Sequence, residues 1–142
     1  MRRLAASLTA ALCLGACTDD AGSDDSSAQT CVEIDYEGCA LLYPPSWDQV
    51  WDQTITTTCS GGGAACHSGQ FGAVFTDQAS AYTTLTTGAH AQIIPGDPAC
   101  SPLMLRLESD DPSFRMPPGN TALAAGARCS IATWIADGAS QN

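Results

Sequence analysis

The placing of eight cysteines constrains this 142-residue chain more than any other feature of its sequence. Cys13 and Cys17 lie near the start, and Cys31, Cys39, Cys59, Cys66, Cys100 and Cys129 are spread through the rest. Thiols in a small chain close bridges where the compartment is oxidising, or they hold a metal or a prosthetic group. Which of these applies depends first on how the chain begins.

The opening residues read MRRLAASLTAALCLGAC. Arg2 and Arg3 give a basic start, and the apolar run 4–14 is too short to stay in a membrane as a helix. Residues 1–16 have the pattern of a signal peptide and are set aside from the fold. The run closes on Leu14-Gly15-Ala16-Cys17, which resembles the bacterial lipobox. That resemblance implies cleavage before Cys17, lipidation of its thiol, and a periplasmic or outer-membrane lipoprotein of a Gram-negative bacterium. Residues 18–30, TDDAGSDDSSAQT, contain no apolar residue larger than alanine. The stretch 17–30 therefore reads as a disordered acidic tether, with a single folded domain over 31–142.

The whole chain carries a net charge of −10 and has no lysine. Arg2 and Arg3 leave with the signal peptide. Three arginines (Arg106, Arg115 and Arg128) then face fifteen acidic residues, a balance of −12. Nucleic acid is excluded as a partner, because phosphate contacts need basic side chains. An acidic surface suits a basic partner protein, although solvation alone accounts for most of these carboxylates. Without Cys13 and the lipidated Cys17, six cysteines remain, an even set for an exported chain.

From residue 44 onward helical signals dominate. Pro44-Pro45 and a capping Ser46 predict a helix over 47–58, with Asp48 in its first turn and Trp47, Val50, Trp51, Thr54 and Ile55 at helical spacing. This helix delivers Cys59 at its end, and its tryptophans are expected in the core. Asp77 predicts a second helix over 78–87, with Ala81, Tyr82 and Leu85 buried and Gly88 as the stop. Ser101 and Pro102 supply the cap and first position of a third helix reaching about 108, with Leu103, Met104 and Leu107 inward. Prolines keep 109–120 irregular. A fourth helix over 123–136 buries Ile131, Trp134 and Ile135 and stops at Gly138. No segment alternates as a strand does. The expected fold is all-α: about four short helices joined by long loops and stabilised by disulfides.

Chemistry concentrates in residues 59–67, CSGGGAACH. A histidine beside a cysteine, with a second thiol upstream, is the combination that holds a covalent c-type haem. The usual attachment motif has two residues between the cysteines, whereas here there are six. A continuous helix would set Cys59 and Cys66 roughly 10 Å apart along its axis, so the glycines at 61–63 must bulge out to bring the thiols together. Two other readings stay open. A Cys59–Cys66 disulfide would close a glycine-rich loop in a haemless lipoprotein with a binding or structural role. A zinc ion could take Cys59, Cys66, His67 and His90, if neighbouring Cys66 and His67 converged on it. Hydrolytic catalysis is not indicated, since both histidines lie in loops and Ser68 sits in no nucleophile elbow.

The order of features sharpens the choice. A tryptophan-bearing helix, the Cys-His loop, AYTTL, IIPGDPACSPLMLRL, RMPPG and TWIADGA succeed one another over residues 46–139. Together they resemble the single-haem cytochrome c-like domain of exported bacterial lipoproteins of planctomycete and myxobacterial type. The resemblance implies thioethers from Cys59 and Cys66 to the haem vinyl groups, His67 as proximal iron ligand and Met116 as distal ligand, with His90 the alternative. It also implies that Pro95 supports the proximal side and Arg115 reaches a propionate. Leu103, Met104, Leu107, Ile131 and Trp134 would wall the pocket. An imidazole and a thioether suit an iron that changes oxidation state with little rearrangement. The implied function is electron transfer with a redox partner protein rather than independent catalysis, with peroxidase chemistry only if the methionine dissociates. With two cysteines on haem, four remain for bridges. The expected pairs are Cys31 with Cys39, near in sequence, and Cys100 with Cys129, between helices.

Overall fold

The computed structural model describes residues 30–60, 67, 75–119 and 121–141. The signal peptide, Cys17, all but the last residue of the tether, Cys66 and the glycines at 61–63 lie outside the described residues. Among the described residues there are four helices and no strand, as an all-α reading requires. None of these helices is long and apolar enough to cross a membrane.

Helix α1 starts as an α-helix over Trp47–Val50 and runs on without a break as a π-helix over Trp51–Ser60. Ser46 is extended (φ −134°, ψ 156°) and its hydroxyl accepts from the Gln49 N–H at 3.5 Å, so the expected cap forms. The π-helical winding differs from the ordinary helix expected here. Residues 54–58 are all β-branched, and such side chains crowd the preceding turn. Thr56 and Thr57 donate to the carbonyls of Asp52 (2.9 Å) and Gln53 (2.8 Å), which competes with the α ladder. Ser60 donates to the carbonyl of Ile55, five residues back, at 3.0 Å. The wider winding extends the helix past its expected end, so Cys59 sits within the last turn.

Helix α2 spans Gln78–Thr86. The Asp77 carboxylate accepts from the Ser80 N–H at 2.9 Å, and that bond first, then the Ser80 hydroxyl, holds its carboxyl below the usual carboxylate range. Ala81 and Leu85 are buried, while Tyr82 lies at the core's edge and donates to the Ala139 carbonyl at 2.9 Å. Helix α3 spans Pro102–Leu107. Ser101 precedes it but does not cap it. Its hydroxyl turns back on the preceding turn, accepting from the Ile94 N–H at 2.9 Å and donating to the Asp97 carbonyl at 2.8 Å. Met104, Leu105 and Leu107 are buried on this helix, and Leu103, expected in the core, is only partly covered.

Helix α4, Ala125–Ala136, is the core helix, burying Ala127, Cys129, Ser130, Ile131, Ala132, Trp134 and Ile135. Trp47 stacks on Trp134 with ring centroids 5.4 Å apart and meets Tyr82 edge-on at 5.4 Å, so α1, α2 and α4 share one aromatic centre. The segment before α1 has no helix of its own and is bound across α4. Leu42 N–H donates to the Gly126 carbonyl at 3.0 Å, and a Cβ at Gly126 would lie 3.1 Å from the Ala40 carbonyl oxygen. Buried Ser130 accepts from the N–H groups of Leu42 (3.1 Å) and Tyr43 (3.2 Å).

This crossing decides the disulfides. The expected Cys31–Cys39 and Cys100–Cys129 pairs do not form; the bridges are Cys31–Cys100 and Cys39–Cys129. Val32 N–H donates to the Ala99 carbonyl at 3.0 Å, which places Cys31 beside Cys100. The contacts to Gly126 and Ser130 place Cys39 beside Cys129. Closeness in sequence counted for less than the path of the leading segment, and each bridge closes a long loop, with separations of 69 and 90 residues. Such loops restrict the unfolded chain most.

Candidate functional site

A cavity of about 900 Å³ lies between the π-helical end of α1, helices α2 and α3, and the proline loop beyond α3. Cys59, His67 and Met116 all line it, and so does His90. Three of the four expected haem-binding residues are thus brought together from separate parts of the chain; the fourth, Cys66, is outside the described residues. Ile55, Phe75, Leu85, Leu103, Leu107 and Leu123 make the walls largely apolar.

Cys59 is a free thiol, packed against the core from the last turn of α1. Burial pushes its pKa up to about 11, so at neutral pH it is a protonated and weakly nucleophilic thiol. Tyr43 lies nearby, its hydroxyl 2.6 Å from that of Thr54. Burial raises the Tyr43 pKa against the opposing Thr54 hydrogen bond, and Cys59 adds to the rise.

His67 is positioned through Phe75. Its carbonyl accepts from the Phe75 N–H at 2.8 Å, and the two rings lie 4.8 Å apart at 35°. Met116 stands on a braced loop. Its N–H donates to the Arg106 carbonyl at 3.0 Å, and the N–H groups of Phe114 and Arg115 both reach the Asp111 carbonyl, at 3.0 and 2.8 Å. The Asp111 carboxylate accepts from the Ser113 hydroxyl (2.7 Å) and N–H (2.8 Å), and these bonds hold its carboxyl below the usual range. Beyond Met116 come Pro117, joined by a cis peptide bond, and Pro118. His90, the alternative to Met116, is exposed on the loop after α2.

Several expected roles move. Arg115 does not line the cavity; its guanidinium donates to the Gly119 carbonyl and straps its own loop. Pro95 is exposed in a turn away from the cavity. Of the five expected wall residues, Leu103 and Leu107 line the cavity, being four apart on one face of α3. Met104, Ile131 and Trp134 instead fill the core, between α3, α4 and α1. Arg106, which sequence reasoning missed, does line the cavity. Its position on the same face as Leu103, three residues on, was the available signal.

Among the described residues no three His, Cys, Asp or Glu side chains group to hold a metal ion, so Cys59, His67 and His90 do not form the core of a zinc site. Compared with family models, curated proteins and solved structures, the chain shows no match.

Proposed function

We propose that the cavity holds one covalently bound haem c and that the domain is an electron carrier, exported and anchored through lipid on Cys17. The observation that carries this is the convergence of Cys59, His67 and Met116 on one apolar cavity of about 900 Å³. That size is within the range of cavities that enclose a small organic ligand, roughly 300–1,000 Å³. The donor set fits as well: an imidazole and a thioether suit a haem iron, and a protein thiol beside them suits attachment. A hard cation would call for carboxylate ligands, and no Asp or Glu is among the described residues that line the cavity.

Bound haem supplies an iron that alternates between Fe(III) and Fe(II). The chain's own residues do the rest. Cys59, together with Cys66, provides the sulfur that ties the group in place. His67 offers a ring nitrogen from a position fixed by Phe75, and the braced loop presents the Met116 sulfur with little freedom left to lose. Leu85 from α2 and Leu103 and Leu107 from α3 give the cavity its apolar side. The excess of carboxylates suits a basic redox partner protein and argues against nucleic acid.

The haemless alternative needs Cys59 in a disulfide with Cys66, and the free thiol at Cys59 supports the haem reading over it. The test is the visible spectrum of the full chain produced together with a haem-attachment system. A Soret band that survives denaturation is expected; its absence from a folded, purified chain would sink the proposal.

A further inference from the structure

Arg106 stands apart from the other charged groups among the described residues. Among the described residues that line the cavity there is no Asp or Glu, although the chain has fifteen, and Arg106 is the one arginine. The other two arginines of the domain are engaged elsewhere: Arg128 pairs with Glu108 at 3.0 Å, and Arg115 binds the Gly119 carbonyl. Arg106 lies over the Phe114 ring, its Cζ 4.7 Å from the centroid, and one Nη donates a long bond to the Phe114 carbonyl at 3.4 Å. A guanidinium has five N–H donors, so most of these have no partner among the described residues. Stacking on Phe114 holds the plane of the group and leaves its edges free to donate. A half-buried cation beside apolar walls gains from a counter-charge that reaches it. The described walls supply none.

We propose that Arg106 is a carboxylate subsite at the rim of the cavity, which selects an apolar occupant with an acidic end and sets which end faces α3. On the haem reading, on which the occupant's identity rests, that group is a propionate. A free long-chain fatty acid offers the same chemistry, and the test separates the two sources.

The full chain, expressed without a haem-attachment system, is titrated with haemin and with haemin dimethyl ester, following the Soret shift. The wild type is expected to bind haemin about tenfold tighter than the diester, as a charge-assisted pair at a half-exposed site allows. Arg106→Gln removes that preference by weakening haemin alone, and Arg106→Lys keeps most of it. Equal binding of acid and ester by the wild type overturns the subsite even if Arg106→Gln does not fold. Equal weakening of both ligands in a folded Arg106→Gln overturns it too, since Arg106 would then act only by packing on Phe114. The haem reading itself stands or falls on the spectrum of chain produced with the attachment system, not on uptake of free haemin. If haemin does not bind the wild type, the subsite is read with a fluorescent long-chain fatty acid against its methyl ester: a preference for the acid that Arg106→Gln abolishes supports it, and no preference or no binding overturns it.

Discussion

The partly buried thiol of Cys59 makes a prediction that reaches from packing to stability. An ordinary thiol titrates near 9.0, and burial in the cavity wall pushes Cys59 up to about 11. At pH 8 its thiolate fraction drops from about one in ten to about one in a thousand, so alkylation should be roughly 100-fold slower than for an exposed cysteine. The assay uses haem-free chain carrying Cys66→Ser. Iodoacetamide modification of the peptide bearing Cys59 is followed by mass spectrometry between pH 7 and 11. Stability moves in step. The folded chain keeps a proton that the unfolded chain releases, so this contribution is full below about pH 9 and is lost as pH rises through about 11. A two-unit shift is worth about 2–3 kcal/mol, and Tyr43, also raised by burial, steepens the alkaline loss. Cys59→Ser should make the decline shallower. A rate profile with an apparent pKa at or below 9 would refute the reasoning.

Peptide mapping without reduction should recover Cys31 linked to Cys100 and Cys39 linked to Cys129; a Cys31–Cys39 peptide would contradict the path of the leading segment. Ser130→Ala leaves the Tyr43 N–H without its acceptor in a buried setting and should lower stability by about 2 kcal/mol, measured as a shift in denaturation midpoint at constant slope. In haem-loaded protein, Met116→Ala should abolish the methionine-to-iron charge-transfer band and His90→Ala should leave it; a wild type with no such band, whose low-spin spectrum is lost in His90→Ala and kept in Met116→Ala, would make His90 the distal ligand.

The features legible in the sequence were those that depend on neighbours a few residues away. Ser46 and Asp77 cap their helices because an extended residue with a short oxygen-bearing side chain does so almost wherever a helix starts. Ser101 has the same chemistry, but its hydroxyl was taken by the turn at Ile94 and Asp97, a competition only the folded loop reveals. The β-branched run 54–58 was in plain view, yet its effect on helix winding depends on which carbonyls the threonines reach. Disulfide partners were hidden for a different reason. Cys39 meets Cys129 because Leu42 and Tyr43 dock on Gly126 and Ser130, nearly ninety positions away, and Cys31 meets Cys100 because Val32 bonds to Ala99. At the cavity, the order of the Cys-His loop and RMPPG anticipated that Cys59, His67 and Met116 would meet. Arg106 shares the Leu103 and Leu107 face of α3, a placement the helical spacing carried but its charge disguised, since an arginine is not expected on an apolar wall.

The measurement that tests the central claim most directly is the intact mass, under denaturing conditions, of the full chain co-expressed with a haem-attachment system. Covalent attachment predicts the processed, lipidated chain plus one haem, with Cys59 and Cys66 both refractory to alkylation after reduction. A bare chain in which reduction frees Cys59 and Cys66 together would contradict it, and would leave the cavity to some other occupant.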